Sequence, residues 1–209
     1  MPASHPITGA PSKIISVTAH NMIWLFMVAF IALAGVSVPA HAAKYAAIVI
    51  EEDSGRVLFA RNADKLRYPA SLTKIMTLYL LFEDISAGRL TLKSRIPVSK
   101  VAAGRSPSKL YLKPGQSISA EQAIYALVTK SANDVAIAVA EKISGSEKAF
   151  VKKMNLIAKE IGLKNTNFAN PHGLPNKSNL SSAYDIFILS SKLIKQYPEY
   201  LNRFKTLNN

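Results

Sequence analysis

Ser71-Leu72-Thr73-Lys74-Ile75-Met76-Thr77-Leu78-Tyr79-Leu80-Leu81-Phe82 decides how the rest of the chain is read. Ile75, Leu78, Leu81 and Phe82 recur at helical spacing on one face, and Gly88 supplies a stop. The helix is largely apolar, which places it near the centre of the fold. Its start carries chemistry. A serine hydroxyl is a poor nucleophile until something takes its proton. Lys74, three residues after Ser71, lies on the same helical face and within reach of it. Burial and the positive helix end both disfavour the ammonium form, and the same end favours a developing oxyanion. Ser71 is the candidate nucleophile and Lys74 the candidate base.

Upstream of the helix, Tyr45 to Glu51 is β-rich, Asp53-Ser54-Gly55 is a turn cluster, and Arg56 to Arg61 is extended again. This predicts a β-hairpin. Two strands are not stable alone in water, so the hairpin needs a larger sheet or helices over it. Further upstream, Met22 to Val38 is uncharged and apolar, Lys13 precedes it, and Ala40-His41-Ala42 offers the small residues of a cleavage site. Residues 1–42 therefore read as a signal peptide cleaved after Ala42, and 43–209 as one domain. An uncleaved helical anchor is the alternative, because 17 apolar residues lie at the short edge of a bilayer span.

Downstream, Arg95 to Val98 and Lys109 to Leu112 read as short strands, with Lys113-Pro114-Gly115-Gln116 as a turn. Ser119 and Gln122 fit a capping box that opens a helix to about Lys130. Asp134 to Ile143 predicts the next helix, ended by Gly145. Glu147 to Ile161 follows, with Phe150, Met154, Ile157 and Ile161 as its stripe. After a polar loop, Asn165 to Leu180, Ser182 and Asp185 cap a last helix through Ile186, Leu189 and Leu193 that Pro198 closes.

Composition narrows the chemistry. The chain of 209 residues contains no cysteine, which rules out thiolate nucleophiles, thiolate metal sites and disulfides. Beyond residue 42 the only histidine is His172, so a Ser-His-Asp triad has one possible base, and a zinc site would rest on carboxylates. The net charge of +13 is spread along the chain, with no Arg-rich block and no basic positions interleaved with stacking aromatics. That layout argues against nucleic acid and, with export, for an envelope surface. No metal or organic cofactor is implied. There is no Gly-rich phosphate loop.

Ser131-Ala132-Asn133 is the one serine-x-asparagine of the chain and lies where two helices are predicted to meet. A loop there can aim a hydroxyl and an amide into a shared cleft, although either residue could instead cap the following helix. A second serine-x-x-lysine, Ser106-Pro107-Ser108-Lys109, leads into no long helix and reads as a solvated loop. His172, between two prolines, could be a base, a ligand or a loop anchor; it is assigned no catalytic role.

The pairing of Ser71-Leu72-Thr73-Lys74 with Ser131-Ala132-Asn133 resembles the serine D-alanyl-D-alanine carboxypeptidases, the low-molecular-mass penicillin-binding proteins. Tyr68-Pro69-Ala70, Asn133-Asp134-Val135-Ala136 and Asn170-Pro171-His172-Gly173-Leu174 also look like that family, and the likeness spans Tyr45 to Tyr200. It implies an α+β fold of the β-lactamase and D,D-peptidase type. It further implies that Ser71 attacks the penultimate D-alanine carbonyl of a peptidoglycan stem peptide, with Lys74 as base. Ser131 would relay a proton to the leaving amine, and Asn133 would hold the substrate backbone. Stem peptides and β-lactams would be the partners, in the periplasm or cell envelope, with membrane association open and oligomeric state unassigned.

The resemblance also sets out a departure. The family's third motif, lysine-threonine-glycine, lies on a later sheet strand, and Lys205-Thr206-Leu207 does not replace it. The expectation is a C-terminally truncated member that keeps the helical part and the N-terminal strands and lacks the C-terminal sheet strands. The alternative to an active carboxypeptidase is then an inactive remnant or cell-wall-binding fragment. Among enzymes a D,D-endopeptidase is the nearer competitor. A class A β-lactamase is disfavoured because Asn165 to Leu180 holds no glutamate.

Overall fold

A computed structural model describes residues 45–200. The signal peptide expected over residues 1–42 and the segment Lys205-Thr206-Leu207 lie outside the described residues. The expected hairpin forms: β1 (Ala47–Ile50) pairs antiparallel with β2 (Val57–Arg61), with a register shift between Val49 and Ile50. Gly55 takes the left-handed backbone that the turn requires, φ +71°. All of β2 is exposed, and among the described residues the hairpin is a sheet of two strands.

α1 (Thr73–Ser86) is the centre of the domain, as its apolar run demands. Met76, Leu80, Leu81 and Phe82 are fully buried, each worth roughly 1.5–3 kcal/mol of hydrophobic stabilisation. The helix packs against α4 (Asn133–Ser144), α5 (Glu147–Glu160) and α6 (Ala183–Gln196). Polar ties lock two of these contacts. Asp84, buried near the end of α1, accepts from Arg89 Nη2 at 2.6 Å and from Lys153 Nζ of α5 at 3.1 Å. Tyr79 donates to Gln196 Oε1 at 2.6 Å, and its ring meets Tyr197 edge-on at 5.5 Å, pinning the end of α6.

The predicted caps are present. Ser119 and Gln122 close a reciprocal capping box at the start of α3 (Ala120–Tyr125), and the Ser182 hydroxyl accepts from Asp185 N–H ahead of α6. Gly145, φ +75°, ends α4 as read. The helix expected to run to Lys130 changes form: after Tyr125 it widens into a π-helix over Ala126–Lys130. Such widened turns recur at functional sites.

One strand assignment is corrected. Residues 109–112 form no strand; β3 (Arg95–Pro97) pairs with β4 (Ser117–Ser119), and the short α2 (Lys100–Ala103) lies between the two in sequence. The alternation of Leu110-Tyr111-Leu112 is overridden at two points. The buried Asp134 carboxylate accepts from Leu110 N–H at 3.0 Å, and Tyr111 adopts a left-handed backbone, φ +60°. Asp134→Ala is expected to lower stability by on the order of 2 kcal/mol, because it orphans this amide together with that of Val135, 2.9 Å away. Urea unfolding checks it. A midpoint equal to wild type would show that the 106–112 loop is held elsewhere.

Candidate functional site

α1 enters through one turn of 3-10 helix, Ala70–Leu72, and Ser71 is exposed at that point. The residue before it is strained: Ala70 has φ +49°, a region that non-glycine residues rarely occupy. One turn on, three polar side chains face inward, Thr73, Lys74 and Thr77, and all are buried. Buried polar groups need partners, and the loop that follows α5 supplies them. Lys74 Nζ donates to the His172 carbonyl at 2.6 Å, Thr77 Oγ1 to the Pro171 carbonyl at 2.7 Å, and Asn179 Nδ2 to Thr73 Oγ1 at 3.0 Å.

The loop that receives Lys74 is built by its own asparagines. Asn170 Oδ1 accepts from Gly173 N–H at 2.6 Å while its amide donates to the Leu174 carbonyl at 3.0 Å. Asn155 of α5 ties in the Phe168 backbone with two bonds of 2.8 Å. Gly173, φ +85°, then lies directly on the start of α1. A Cβ there would sit 1.8 Å from the Ala70 carbonyl oxygen and 3.1 Å from Ser71 N. One loop therefore touches the peptide of Ser71 and the amine of Lys74 together.

Burial governs the electrostatics. Lys74 is 4% exposed, and desolvation lowers its pKa from the ordinary lysine value to about 8. Its ammonium rests on a carbonyl and makes no hydrogen bond to the Ser71 hydroxyl. His172, also 4% exposed, is pushed down to about 4 by burial first, then by the charges of Arg105 and Lys74. It is neutral at neutral pH. Its Nδ1 accepts from Leu174 N–H at 3.0 Å, which puts the imidazole proton on Nε2.

Ser131 ends the π-helix in a left-handed conformation, φ +54° and ψ +41°, and is half-buried. The next residue, Ala132, is the N-cap of α4 and offers no side-chain cap. Neither Ser131 nor Asn133 is spent on capping. Asn133 is buried, and its N–H donates to the Ser108 carbonyl at 2.7 Å, while the Ser108 hydroxyl donates to the Lys130 carbonyl at 2.7 Å. The second serine-x-x-lysine is thus no freely solvated loop. It braces the Ser131-Ala132-Asn133 turn from both sides, and Lys109 Nζ is itself held on the Ala103 carbonyl at 3.1 Å.

Two contributions escaped the sequence reading. The His172 carbonyl is a backbone atom and has no side-chain signature. Gly173 did leave a signal, since a glycine after Asn-Pro-His in a compact loop suggests a left-handed residue or a close approach. Beside this point a cleft of ≈ 740 Å³ opens, lined by Tyr68, Ala70, Leu174, Pro175 and Asn179 among others. Around this loop stand Ser71, Lys74 and a neutral His172, with the Glu147 carboxylate 3.6 Å from the imidazole. Such a set suits nucleophilic acyl transfer with an amine base.

Comparison with known proteins gives a consistent picture. The Peptidase S11 family model, described as D-alanyl-D-alanine carboxypeptidase, matches residues 33–208. The D-alanyl-D-alanine carboxypeptidase DacF of Bacillus subtilis is 44% identical over 156 residues, covering 75% of this chain and 40% of that protein. The crystal structure of DacD from Francisella tularensis superposes with a TM-score of 0.73 at 40% identity, covering 74% of this chain and 38% of that one. Penicillin-binding protein D2 of Listeria monocytogenes, solved with ampicillin bound, gives 0.66 at 34% identity, covering 74% and 62%. The chain spans about two fifths of the length of the DacF protein. The fold is the α+β fold of these carboxypeptidases and penicillin-binding proteins.

Proposed function

This chain belongs to the Peptidase S11 family of D-alanyl-D-alanine carboxypeptidases, and from that premise we propose that it removes the terminal D-alanine of peptidoglycan stem peptides through an acyl-enzyme on Ser71. The observation that carries the reading is the state of Lys74: buried, three residues after an exposed serine at a helix start, with its pKa lowered to about 8. An amine so tuned keeps a useful neutral fraction near neutral pH and can take the Ser71 proton. The Ser71 oxygen then bonds to the carbonyl carbon of the penultimate residue. The resulting oxyanion is met by Ser71 N–H at the positive end of α1. Collapse breaks the peptide bond and expels D-alanine once its nitrogen has gained a proton, relayed through the Ser131 hydroxyl. Asn133 holds the substrate backbone. Water, giving a proton to Lys74, then attacks the ester; the bond to Ser71 breaks, and the Ser71 oxygen takes that proton from Lys74, so that both residues return to their starting state.

β-Lactams are the natural probes, because acylation by them uses the same first half-reaction. The apolar stretch 22–38 followed by Ala40-His41-Ala42 supports export, with residues 1–42 as the signal and the bacterial cell envelope as the place of action.

The test is covalent labelling of the purified protein by a fluorescent penicillin, with the adduct mapped by mass spectrometry and Ser71→Ala as control. An adduct on the Ser71 peptide is expected. Its formation rate should rise with pH and level off above about 8: below that value Lys74 carries a proton and cannot accept one, so the rate falls about tenfold per pH unit. A folded chain that takes up no label would leave a catalytically silent relative. A label that survives Ser71→Ala would remove the nucleophile assignment.

A further inference from the structure

One half-buried cluster takes no part in that reaction sequence. His172 Nε2 and Arg105 Nε are enclosed without hydrogen-bond partners, and Glu147 stands between their side chains. Its Oε1 is 3.6 Å from His172 Nε2, and its Oε2 accepts from Arg105 Nη2 at 3.2 Å. The three residues come from separate places: Arg105 just after α2, Glu147 at the first position of α5, and His172 from the loop that receives Lys74. Glu147 lies in the first turn of α5, beside the Arg105 guanidinium. The proton on His172 Nε2, fixed there by the Leu174 bond to Nδ1, faces that carboxylate.

The cluster ends on the residue whose backbone oxygen holds Lys74 Nζ. We propose that Glu147 and Arg105 are positioning residues which, through His172, set the protonation balance of Lys74. The carboxylate keeps the imidazole and its carbonyl under the amine, and the guanidinium offsets the carboxylate so that its field does not fix Lys74 as ammonium. The charged and titratable groups on the elements that meet here are Lys74 on α1, Arg105 after α2, Glu147 on α5 and His172 itself. Glu141 on α4 is held by the Ser99 hydroxyl at 3.0 Å, and Lys109 by the Ala103 carbonyl. Arg105 and Glu147 are half-buried and the imidazole beside them is enclosed, so removing either member of the pair leaves the charge of the other uncompensated at His172. The two removals act with opposite sign. This inference rests on Lys74 being the base, but it can be read without catalysis.

The experiment is an NMR titration of the full chain carrying 13C-labelled lysine, with the Lys74 signal assigned by its loss in Lys74→Arg. Glu147→Gln leaves the Arg105 cation unopposed and is expected to lower the Lys74 midpoint by half a pH unit or more. Arg105→Gln leaves the carboxylate unopposed and is expected to raise it by a similar amount. The double variant should return to within a quarter unit of wild type. A merely structural role would move melting temperature without this reversal of sign. Midpoints that stay put in both single variants, or shift the same way, overturn the proposal. Should Glu147→Gln fail to fold, the sign of the Arg105→Gln shift decides. A chain that titrates as expected yet takes no penicillin would overturn the acyl-enzyme reading and leave this coupling standing.

Discussion

Gly173→Ala will unfold or badly loosen the protein and abolish labelling by penicillin. The left-handed backbone at φ +85° costs an alanine roughly 1–2 kcal/mol before any contact is counted. The added Cβ would then meet the Ala70 carbonyl oxygen at 1.8 Å, where no rotamer can relieve it. The loop has to retreat from the start of α1, and it takes the His172 carbonyl away from Lys74 Nζ. A total loss on the order of 3–5 kcal/mol is expected, a large part of the stability of an ordinary domain. Urea unfolding and labelling on one sample measure both consequences. A variant within 2 °C of the wild-type melting temperature, labelling normally, would mean that the close approach does not exist in solution.

The second large effect is on rate. Lys74→Met keeps a long, unbranched side chain in the buried position and removes the amine. The labelling rate is expected to fall by about a thousandfold, within the range for loss of a general base. Stability should fall by only about 1–2 kcal/mol, the cost of leaving the His172 carbonyl without its donor. The second-order labelling rate, taken at a temperature where the variant is folded by circular dichroism, separates the two. A rate within tenfold of wild type would assign proton removal to some other group.

The local parts of this fold were legible because their causes are local. The stripe of α1, the capping box at Ser119 and Gln122, the Ser182 cap and the Gly145 stop each depend on residues a few positions apart, and each is found. The misread strand at Lys109 to Leu112 had a cause far along the chain, the carboxylate of Asp134 capturing Leu110 N–H. Periodicity cannot anticipate a backbone amide taken by a side chain 24 residues away. The π-helix before Ser131 likewise has no compositional mark. The proposed site residues Ser71, Lys74, Ser131 and Asn133 were named from residue type and spacing. What holds them was hidden, because the brace from Ser108 and the seat offered by His172 are made by carbonyl oxygens, which every residue has.

The left-handed residues Ala70 and Ser131 have a bearing on any attempt to make this protein more robust. Glycine is the cheapest occupant of such a backbone, so a screen that rewards heat resistance alone would be drawn to both positions. At Ser131 the relief would delete the hydroxyl; at Ala70 it would slacken the peptide that presents Ser71. On the proposed mechanism, heat resistance and reactivity are therefore opposed at two defined points of the chain. Variants should be sorted by labelling first and by melting temperature second.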